Sequence, residues 1–313
     1  MERSETLELT GRETGRIAGA APGPTLVVVA GMHGNEPGGI EAARRVLARL
    51  DGEKIRGDLV VLAGNLEGLR QGVRYQVKDL NRVWTHARIE ELRALPAEAR
   101  DAEDHEQLEL HAAIEDAIGR ARGPVHVCDM HTTSAAGIPF VLIGDTLAQR
   151  KFAQAFPIPV ILGLEEQLDG VLTSWWTRRG CVTFAVEGGQ HADPVTVDSL
   201  EAVLWIALGH AGLVAASRPE VADATELLEQ QRKGLPRVIE VLSRRAISPA
   251  DGFRMEPGFR NIDHARKDQL LAQDNAGEIR APRDGMVIMP LYQGSGGDGF
   301  FWGREASPDA LHI

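Results

Sequence analysis

Short apolar runs recur along the first two-thirds of the chain, and most are apolar at consecutive positions rather than at every second one. Strands that are buried on both faces of a sheet show this pattern, because neither face then needs a polar residue. Many of the side chains in these runs are β-branched, which also favours strands. The six predicted strands lie at residues 25–30, 59–63, 125–129, 140–143, 160–162 and 182–186.

Amphipathic, charge-rich stretches separate these runs. In residues 39–50, apolar side chains such as Ile40 and Val46 fall on one side of a helix, and residues 104–118 and 197–214 behave similarly. Strands that alternate with helices predict an α/β fold. We therefore expect a mostly parallel mixed sheet flanked by helices over residues 1–217.

The pattern changes near Ser217. Residues 218–235 are acidic and then basic, which predicts one exposed connector helix. From Pro236 onwards, short apolar runs alternate with glycines. Repeated glycines between short strands are typical of a small β domain, either a barrel or a sandwich. Residues 236–313 are therefore predicted to form a C-terminal β domain.

The charge balance excludes several classes of partner. The chain has 34 Lys and Arg against 45 Asp and Glu, a formal net charge of −11. Nucleic acids and anionic membrane surfaces are bound by clustered basic residues, so neither is expected as a partner. No apolar run reaches the roughly 18 residues of a membrane span. Residues 1–16 also lack the basic flank and apolar centre of a signal peptide.

The two cysteines, Cys128 and Cys181, both lie among apolar residues. Buried free thiols in a reducing compartment are therefore expected rather than a disulfide. Together with the polar N-terminus, this predicts a cytoplasmic protein.

The sharpest chemical feature is the glycine-rich turn at residues 31–39, which follows a predicted strand and precedes a predicted helix. In open α/β sheets, ligands bind just beyond the carboxyl ends of strands. His33 and Glu36 lie three residues apart in this turn and can converge on one point. An imidazole nitrogen and a carboxylate oxygen suit Zn²⁺. A helix-capping turn with an incidental histidine is the alternative.

A second predicted strand, at residues 125–129, is followed closely by His131. Two such strand ends can lie side by side in a parallel sheet. His33, Glu36 and His131 would then supply two imidazoles and one carboxylate, which leaves a fourth zinc position open for water. Asp129 precedes His131 by two residues and points to the same side. It would either orient the imidazole or cap the strand end.

Arginines are frequent in the polar segment that follows residue 69. Arg70, Arg74 and Arg82 form a basic group in an otherwise acidic protein. An arginine can bind a carboxylate through two parallel hydrogen bonds, which lysine cannot do. The alternative is an ordinary solvated loop.

The predicted strand at residues 182–186 is followed directly by Glu187 and two glycines. A glutamate at a desolvated strand end is suited to act as a general base beside zinc-bound water. In the alternative, Glu187 caps the following turn or pairs with Arg178 or Arg179.

Taken together, these motifs resemble the succinylglutamate desuccinylase/aspartoacylase family, which belongs to the zinc carboxypeptidase superfamily. The resemblance spans residues 31–187, and residues 281–301 also resemble bacterial members. It rests on four motifs in order, which are His-Gly-Asn-Glu at residues 33–36, Arg74 with Asp-Leu-Asn-Arg at residues 79–82, His131 and Glu187.

This resemblance implies a zinc carboxypeptidase-like fold and a role for the matched residues. His33, Glu36 and His131 would bind one zinc ion per chain. Glu187 would be the general base and then the general acid. Arg74 would polarise the scissile carbonyl.

The resemblance also implies how the substrate is held. Asn81 and Arg82 would clamp a substrate carboxylate. Family members that recognise the substrate side chain with an arginine carry it shortly before the catalytic glutamate, and Arg178 and Arg179 both fall near that place. The resemblance assigns no role to His191, which lies four residues after Glu187.

The sequence therefore predicts a zinc-dependent amidohydrolase that cleaves the amide bond of an N-acyl amino acid or a related small carboxylate, as a monomer or a homo-oligomer. One alternative is a metallocarboxypeptidase, although an added β domain would narrow the entrance to small substrates. Another is a non-catalytic zinc- or ligand-binding protein, but the presence of Glu187 alongside a complete ligand set argues against it.

Overall fold

The structure is a computed structural model that describes Leu9 and residues 11–312. Its main element is an eleven-stranded mixed sheet, accompanied by a three-stranded antiparallel sheet. The large sheet contains β1 (Glu13–Ala18), β2 (Ala21–Ala30), β3 (Arg56–Ala63), β4 (Val125–Thr133), β5 (Phe140–Leu142), β6 (Val160–Leu162), β7 (Val182–Gln190), β8 (Val238–Ala246), β10 (Asp263–Ala265), β13 (Gly285–Ile288) and β14 (Asp298–Ala306). The small sheet contains β9 (Arg254–Met255), β11 (Leu270–Asp274) and β12 (Gly277–Arg280).

Helices cover both faces of the large sheet. One core, on the side of α1, α5, α7 and α8, packs against alternate residues of the central strands, and the other core lies under α3, α4 and α6. Burial on both faces explains why the central strands are apolar at consecutive positions. The helices are α1 (Gly38–Arg49), α2 (Leu66–Gln71), α3 (His86–Ala94), α4 (Ala102–Gly119), α5 (Leu147–Ala153), α6 (Leu172–Thr177), α7 (Pro194–Ala211) and α8 (Pro219–Arg232).

Four neighbouring strands, β3, β2, β4 and β7, run parallel to one another. β1 pairs with β3 and β5 pairs with β7, both in the antiparallel direction. Because parallel strands end at the same edge, the residues that follow β2 and those at the ends of β4 and β7 meet there. The α/β fold with a mostly parallel sheet is confirmed.

All six predicted strands are present, but β4 and β7 are longer than the apolar runs. His131 pairs opposite Glu187 within these two strands, so both residues lie inside strands rather than after them. The helix predicted at residues 197–214 begins earlier, because the side chain of Asp193 accepts a hydrogen bond from the backbone of Val195 and caps it. It ends at Ala211, where Gly212 adopts φ +86°.

The β structure predicted for the C-terminal region is confirmed. Its strands are divided between the two sheets: some extend the large sheet, and β9, β11 and β12 form the small one, which packs on them over a separate apolar core. β8 pairs in parallel with β6, and β14, β13 and β10 follow in antiparallel order. The connector helix α8 is not simply exposed, because Val221, Ala224 and Leu228 are buried. The division into units at residues 1–217, 218–235 and 236–313 stays a prediction.

Both cysteines are buried and free, as predicted. Within the described part of the chain, no helix is long and apolar enough to cross a membrane.

Candidate active site

The turn between β2 and α1 carries the first two candidate ligands. Gly31 has φ +70°, a left-handed conformation that glycine adopts without strain. A β-carbon at residue 34 would lie 1.9 Å from the carbonyl carbon of Gly68, so only glycine fits there. This tight turn directs His33 and Glu36 back over the end of the sheet, where both are buried.

Glu36 lies between two imidazoles. Its Oε1 is 2.9 Å from Nδ1 of His33, and its Oε2 is 3.1 Å from Nδ1 of His131. The backbone N–H of Thr132 donates a further hydrogen bond of 3.0 Å to Oε2. Burial by itself raises the pKa of Glu36, but the two imidazoles outweigh this effect and hold the pKa well below its usual range.

Each imidazole is held from its other side by a second carboxylate. Nε2 of His33 lies 3.0 Å from Asp79 Oδ1, and Nε2 of His131 lies 2.9 Å from Asp129 Oδ2. Burial opposes a charged His131, yet Asp129 and Glu36 raise its pKa well above the usual value. The site is therefore built to stabilise positive charge between these groups.

His33, Glu36 and His131 fit a metal ion by the chemistry of their donors. One ligand atom from each lies within 4.8 Å of the others, and all three side chains are buried. Both Nδ1 atoms face the shared carboxylate, while both Nε2 atoms are fixed by carboxylates. Metal-binding histidines characteristically have their second nitrogen held in this way.

Glu187 stands next to this group on β7, opposite His131 on β4. Its side chain is buried, and its Oε2 has no hydrogen-bond partner among the residues that the structure describes. Burial is the main cause that raises the pKa of Glu187 to about 8. Burial thus favours the protonated form of this carboxyl group.

Arg74 reaches the same centre from the loop after α2. It donates a hydrogen bond of 2.9 Å to Asp79 Oδ2 and a longer one of 3.4 Å to Glu36 Oε1. Its Nε is buried and has no partner within residues 11–312 or Leu9. One donor of this guanidinium is thus without a hydrogen-bond partner among these residues.

The described part of the chain agrees in sequence with one known family. The profile of the succinylglutamate desuccinylase/aspartoacylase catalytic domain matches residues 22–204, which include every group of the site described so far. The chain belongs to this succinylglutamate desuccinylase/aspartoacylase family.

A curated relative supports the family in sequence. The chain is 37% identical over 120 residues to a succinylglutamate desuccinylase from Burkholderia pseudomallei. The alignment covers 36% of this chain and 32% of that protein, so it spans about a third of each.

Solved structures share the fold across nearly the whole chain. A succinylglutamate desuccinylase/aspartoacylase from Rhodobacter sphaeroides has a TM-score of 0.67 at 19% identity, covering 92% of this chain and 87% of that one. The product-bound ectoine utilization protein EutE (DoeB) from Ruegeria pomeroyi also has a TM-score of 0.67 at 19% identity, covering 91% and 87%. At this identity the likeness establishes the fold alone.

Asn81 and Arg82, the remaining residues of the family motif, line the same pocket but already have protein partners. The Asn81 side chain donates to Asp129 Oδ2 at 3.2 Å and accepts from the backbone of Leu172 at 2.9 Å. Arg82 donates to Asp298 Oδ2 at 2.7 Å and to the carbonyl oxygen of Asn81 at 2.8 Å. Asn81 therefore positions the group that orients His131.

The structure does not bring Arg178, Arg179 or Arg70 to this pocket. The guanidinium of Arg179 lies 3.3 Å from the ring centre of Trp175 and stacks on it. Arg178 lines a separate depression beside α6, and Arg70, 51% exposed, pairs with Glu67 on α2. The basic group expected around the metal site therefore contains only Arg74 and Arg82 of the three arginines proposed.

Three other polar residues of the site had no role in the sequence interpretation. Asp79 belongs to the family motif. Metal-binding imidazoles usually have a carboxylate partner, and this requirement could have indicated the role of Asp79. Asp298 and Gln293 come from the C-terminal region. Gln293 lies 3.2 Å from Nε2 of His191, and no local pattern marks either residue.

Proposed function

We propose that this member of the family is a zinc-dependent amidohydrolase that removes the acyl group from an N-acyl amino acid or a close relative. The observation that carries the proposal is the pairing of the two imidazoles. Nδ1 of His33 and of His131 face Glu36, while Asp79 and Asp129 hold the opposite nitrogens. Zinc bound by His33, Glu36 and His131 would supply Lewis-acid polarisation of water and of the amide carbonyl.

Glu187 is the proposed general base and general acid. Its carboxylate, which lines the pocket, would accept a proton from the attacking water as the C–O bond forms. The same carboxyl group would then return this proton to the amide nitrogen as the C–N bond breaks, releasing a carboxylic acid and an amine. The buried surroundings that raise its pKa to about 8 make the protonated intermediate state accessible near neutral pH.

Arg74 is the proposed donor to the carbonyl oxygen. Its charge is already oriented by Asp79, so little reorganisation accompanies the reaction. Arg74 lines the pocket, so its guanidinium would donate to the oxygen on which negative charge develops. A preorganised donor of this kind is often worth about 3 kcal/mol in the transition state.

Arg82 is the proposed site for the substrate carboxylate. It lines the pocket, and its contact with Asp298 fixes the direction of the guanidinium plane. A planar fork that is held in place loses less conformational entropy when it binds a carboxylate. The amide would thereby be placed over the metal group.

The test compares zinc-loaded protein with the same protein after chelation, on a panel of N-acyl amino acids and matched dipeptides. Hydrolysis of the acyl amino acids that disappears on chelation and returns with zinc is expected. Faster cleavage of dipeptides would favour a metallocarboxypeptidase. Zinc binding without turnover of either panel would favour a non-catalytic binding protein.

A further inference from the structure

The pocket that holds the candidate catalytic groups extends well beyond them. The space between its walls, counted out to open solvent, is about 880 Å³. Apolar side chains line this extension, and we call it the apolar pouch. Its lining includes Leu142, Leu164, Val171, Ala185, Met289 and Phe301.

Strand register places the floor of the apolar pouch directly beside the catalytic centre. Ala185 precedes Glu187 by two residues on β7, so both side chains point to the same face. Leu142 on β5 pairs opposite Ala185, just as Phe140 pairs opposite Glu187. The pouch therefore begins at the pair of Ala185 and Leu142, next to the proposed base Glu187 on the same face of the sheet.

Two further residues of the lining come from the C-terminal region. Met289 follows β13 directly, and Phe301 lies on β14, three residues after Asp298. Leu142, Leu164, Ala185 and Phe301 belong to one continuous apolar cluster, and Met289 packs against it. A group bound in the pouch would therefore be in contact with carbon atoms of β5, β7 and β14.

Among the residues that the structure describes, the lining offers no unpaired arginine or lysine to a second acidic group. Within the described lining, Arg74 and Arg82 are the only arginines or lysines, and they are paired with Asp79 and Asp298. The same lining also contains Glu165, a half-buried carboxyl group.

Glu165 makes the apolar pouch unfavourable for an anion. Its carboxyl group receives hydrogen bonds from the hydroxyls of Thr173 and Ser174 at 2.5 and 3.0 Å. No arginine or lysine of the described residues forms an ion pair with it. Burial raises the pKa of Glu165. An additional carboxylate in this space would be repelled by the ionised form and would lack a compensating charge.

We infer that the substrate carries an uncharged apolar group of several carbons next to the scissile amide, and that this group occupies the apolar pouch. The inference rests on the proposed deacylase function and specifies its substrate class. The apolar group is supplied by the amino acid side chain or by the acyl chain. Each methylene that leaves water is worth about fourfold in affinity.

The first experiment measures kcat/KM for two series of substrates with zinc-loaded protein. One series varies the amino acid as N-acetyl-leucine, N-acetyl-alanine and N-acetyl-aspartate. The other varies the acyl group as hexanoyl, acetyl and succinyl on glycine. In at least one series, we expect kcat/KM for the apolar substrate to exceed kcat/KM for the acidic substrate by tenfold or more. The series that shows this preference identifies whether the amino acid side chain or the acyl chain enters the pouch. An acidic preference or equal rates in both series would overturn the inference.

A binding measurement separates this inference from the proposed function. Titration calorimetry compares 4-methylpentanoate with succinate, neither of which has an amide bond to cleave. We expect the branched apolar acid to bind at least tenfold more tightly, even if no substrate is hydrolysed. Equal or tighter binding of succinate would contradict the apolar pouch, whatever the enzyme turns over.

A pair of variants at Leu168, a partly exposed residue of the same lining, reverses the charge of the pouch. Leu168→Arg should lower the apolar-to-acidic ratio of kcat/KM, or of binding affinity, at least tenfold, while Leu168→Glu should not lower it. The matched control is Leu147→Arg, because Leu147 is 67% exposed and lies outside the pocket. An unchanged ratio in a folded Leu168→Arg protein would overturn the inference.

Discussion

The guanidinium of Arg82 donates a hydrogen bond of 2.7 Å to Asp298, although 216 residues separate the two along the chain. Asp298, on β14, also contacts Arg244 of β8. One carboxylate therefore joins the segment that carries Arg82 to two C-terminal strands. This contact lies at the edge of the pocket and fixes the orientation of the guanidinium. The C-terminal region thereby takes part in the geometry of the site.

Arg82→Lys should weaken substrate binding although it conserves the charge. Lysine has no planar fork, and a charge-assisted hydrogen bond is worth about 1.5–3 kcal/mol, so kcat/KM should fall about tenfold to a hundredfold. Arg304→Lys on β14, more than half exposed and paired with Glu240, is the matched control and should leave the rates unchanged.

The same variant tests what Arg82 recognises. Converting the α-carboxylate of the substrate to an amide should lower kcat/KM of the wild type by a far larger factor than kcat/KM of Arg82→Lys. If kcat/KM falls by the same factor in both proteins, the two changes are independent and Arg82 does not bind the carboxylate.

Asp79→Asn should weaken zinc binding without removing a ligand. Asp79 holds Nε2 of His33, and loss of such a partner typically costs about tenfold to a hundredfold in metal affinity. Competition with a chromophoric chelator measures the affinity. Asp116→Asn, at an exposed position on α4, should bind zinc as the wild type does. An Asp79→Asn protein of wild-type affinity would show that His33 needs no such support.

Glu187→Gln should separate catalysis from metal binding. Glutamine keeps the shape of the side chain but cannot accept and return the proton, so kcat should fall by about a hundredfold or more. Metal analysis should show that zinc is retained, whereas His33→Ala, Glu36→Ala and His131→Ala should each lose most of it. Near-normal kcat in Glu187→Gln would place the base elsewhere.

His126 should make the fold sensitive to acid. This side chain is 8% exposed beside Phe152, and its Nδ1 has no partner among the described residues. Burial is the main cause that lowers the pKa of His126 to about 4. In the unfolded chain the pKa is about 6.5, so the unfolded state takes up the proton first as the pH falls.

The resulting loss of stability lies between about pH 6.5 and pH 4 and amounts to about 3 kcal/mol at its fullest. Well above pH 6.5 this residue contributes no pH dependence to the free energy of unfolding. Urea unfolding at several pH values should show a shallower acid slope for His126→Leu than for wild type. The control is His105→Leu, an exposed position on α4, which should keep the wild-type slope. Parallel slopes for wild type and His126→Leu would contradict the assignment.

The amino-acid sequence by itself determined the elements that depend on local pattern. The apolar runs predicted all six central strands, because a strand buried on both faces must be apolar at each position. The convergence of His33, Glu36, His131 and Glu187 also followed from the sequence. Parallel strands end at one edge of a sheet, so residues near those ends meet there when the strands are neighbours.

Only the tertiary structure decided how the C-terminal third is joined. A strand such as β8 has the same alternation whether it closes a barrel or extends a neighbouring sheet. Its parallel pairing with β6 depends on which exposed edge is available after folding. This pairing brings Asp298 to Arg82 and Phe301 to the apolar pouch.

The side-chain partners of the arginines were likewise decided by the fold. Arg178 and Arg179 lie close to Glu187 in sequence, yet the short helix α6 carries Arg179 onto Trp175, away from the pocket. Arg82 receives its partner from 216 residues away. Residue type and spacing therefore predicted which groups could perform the chemistry. Which charges remain free to select a substrate depends on ion pairs between distant segments, and these form only when the segments pack.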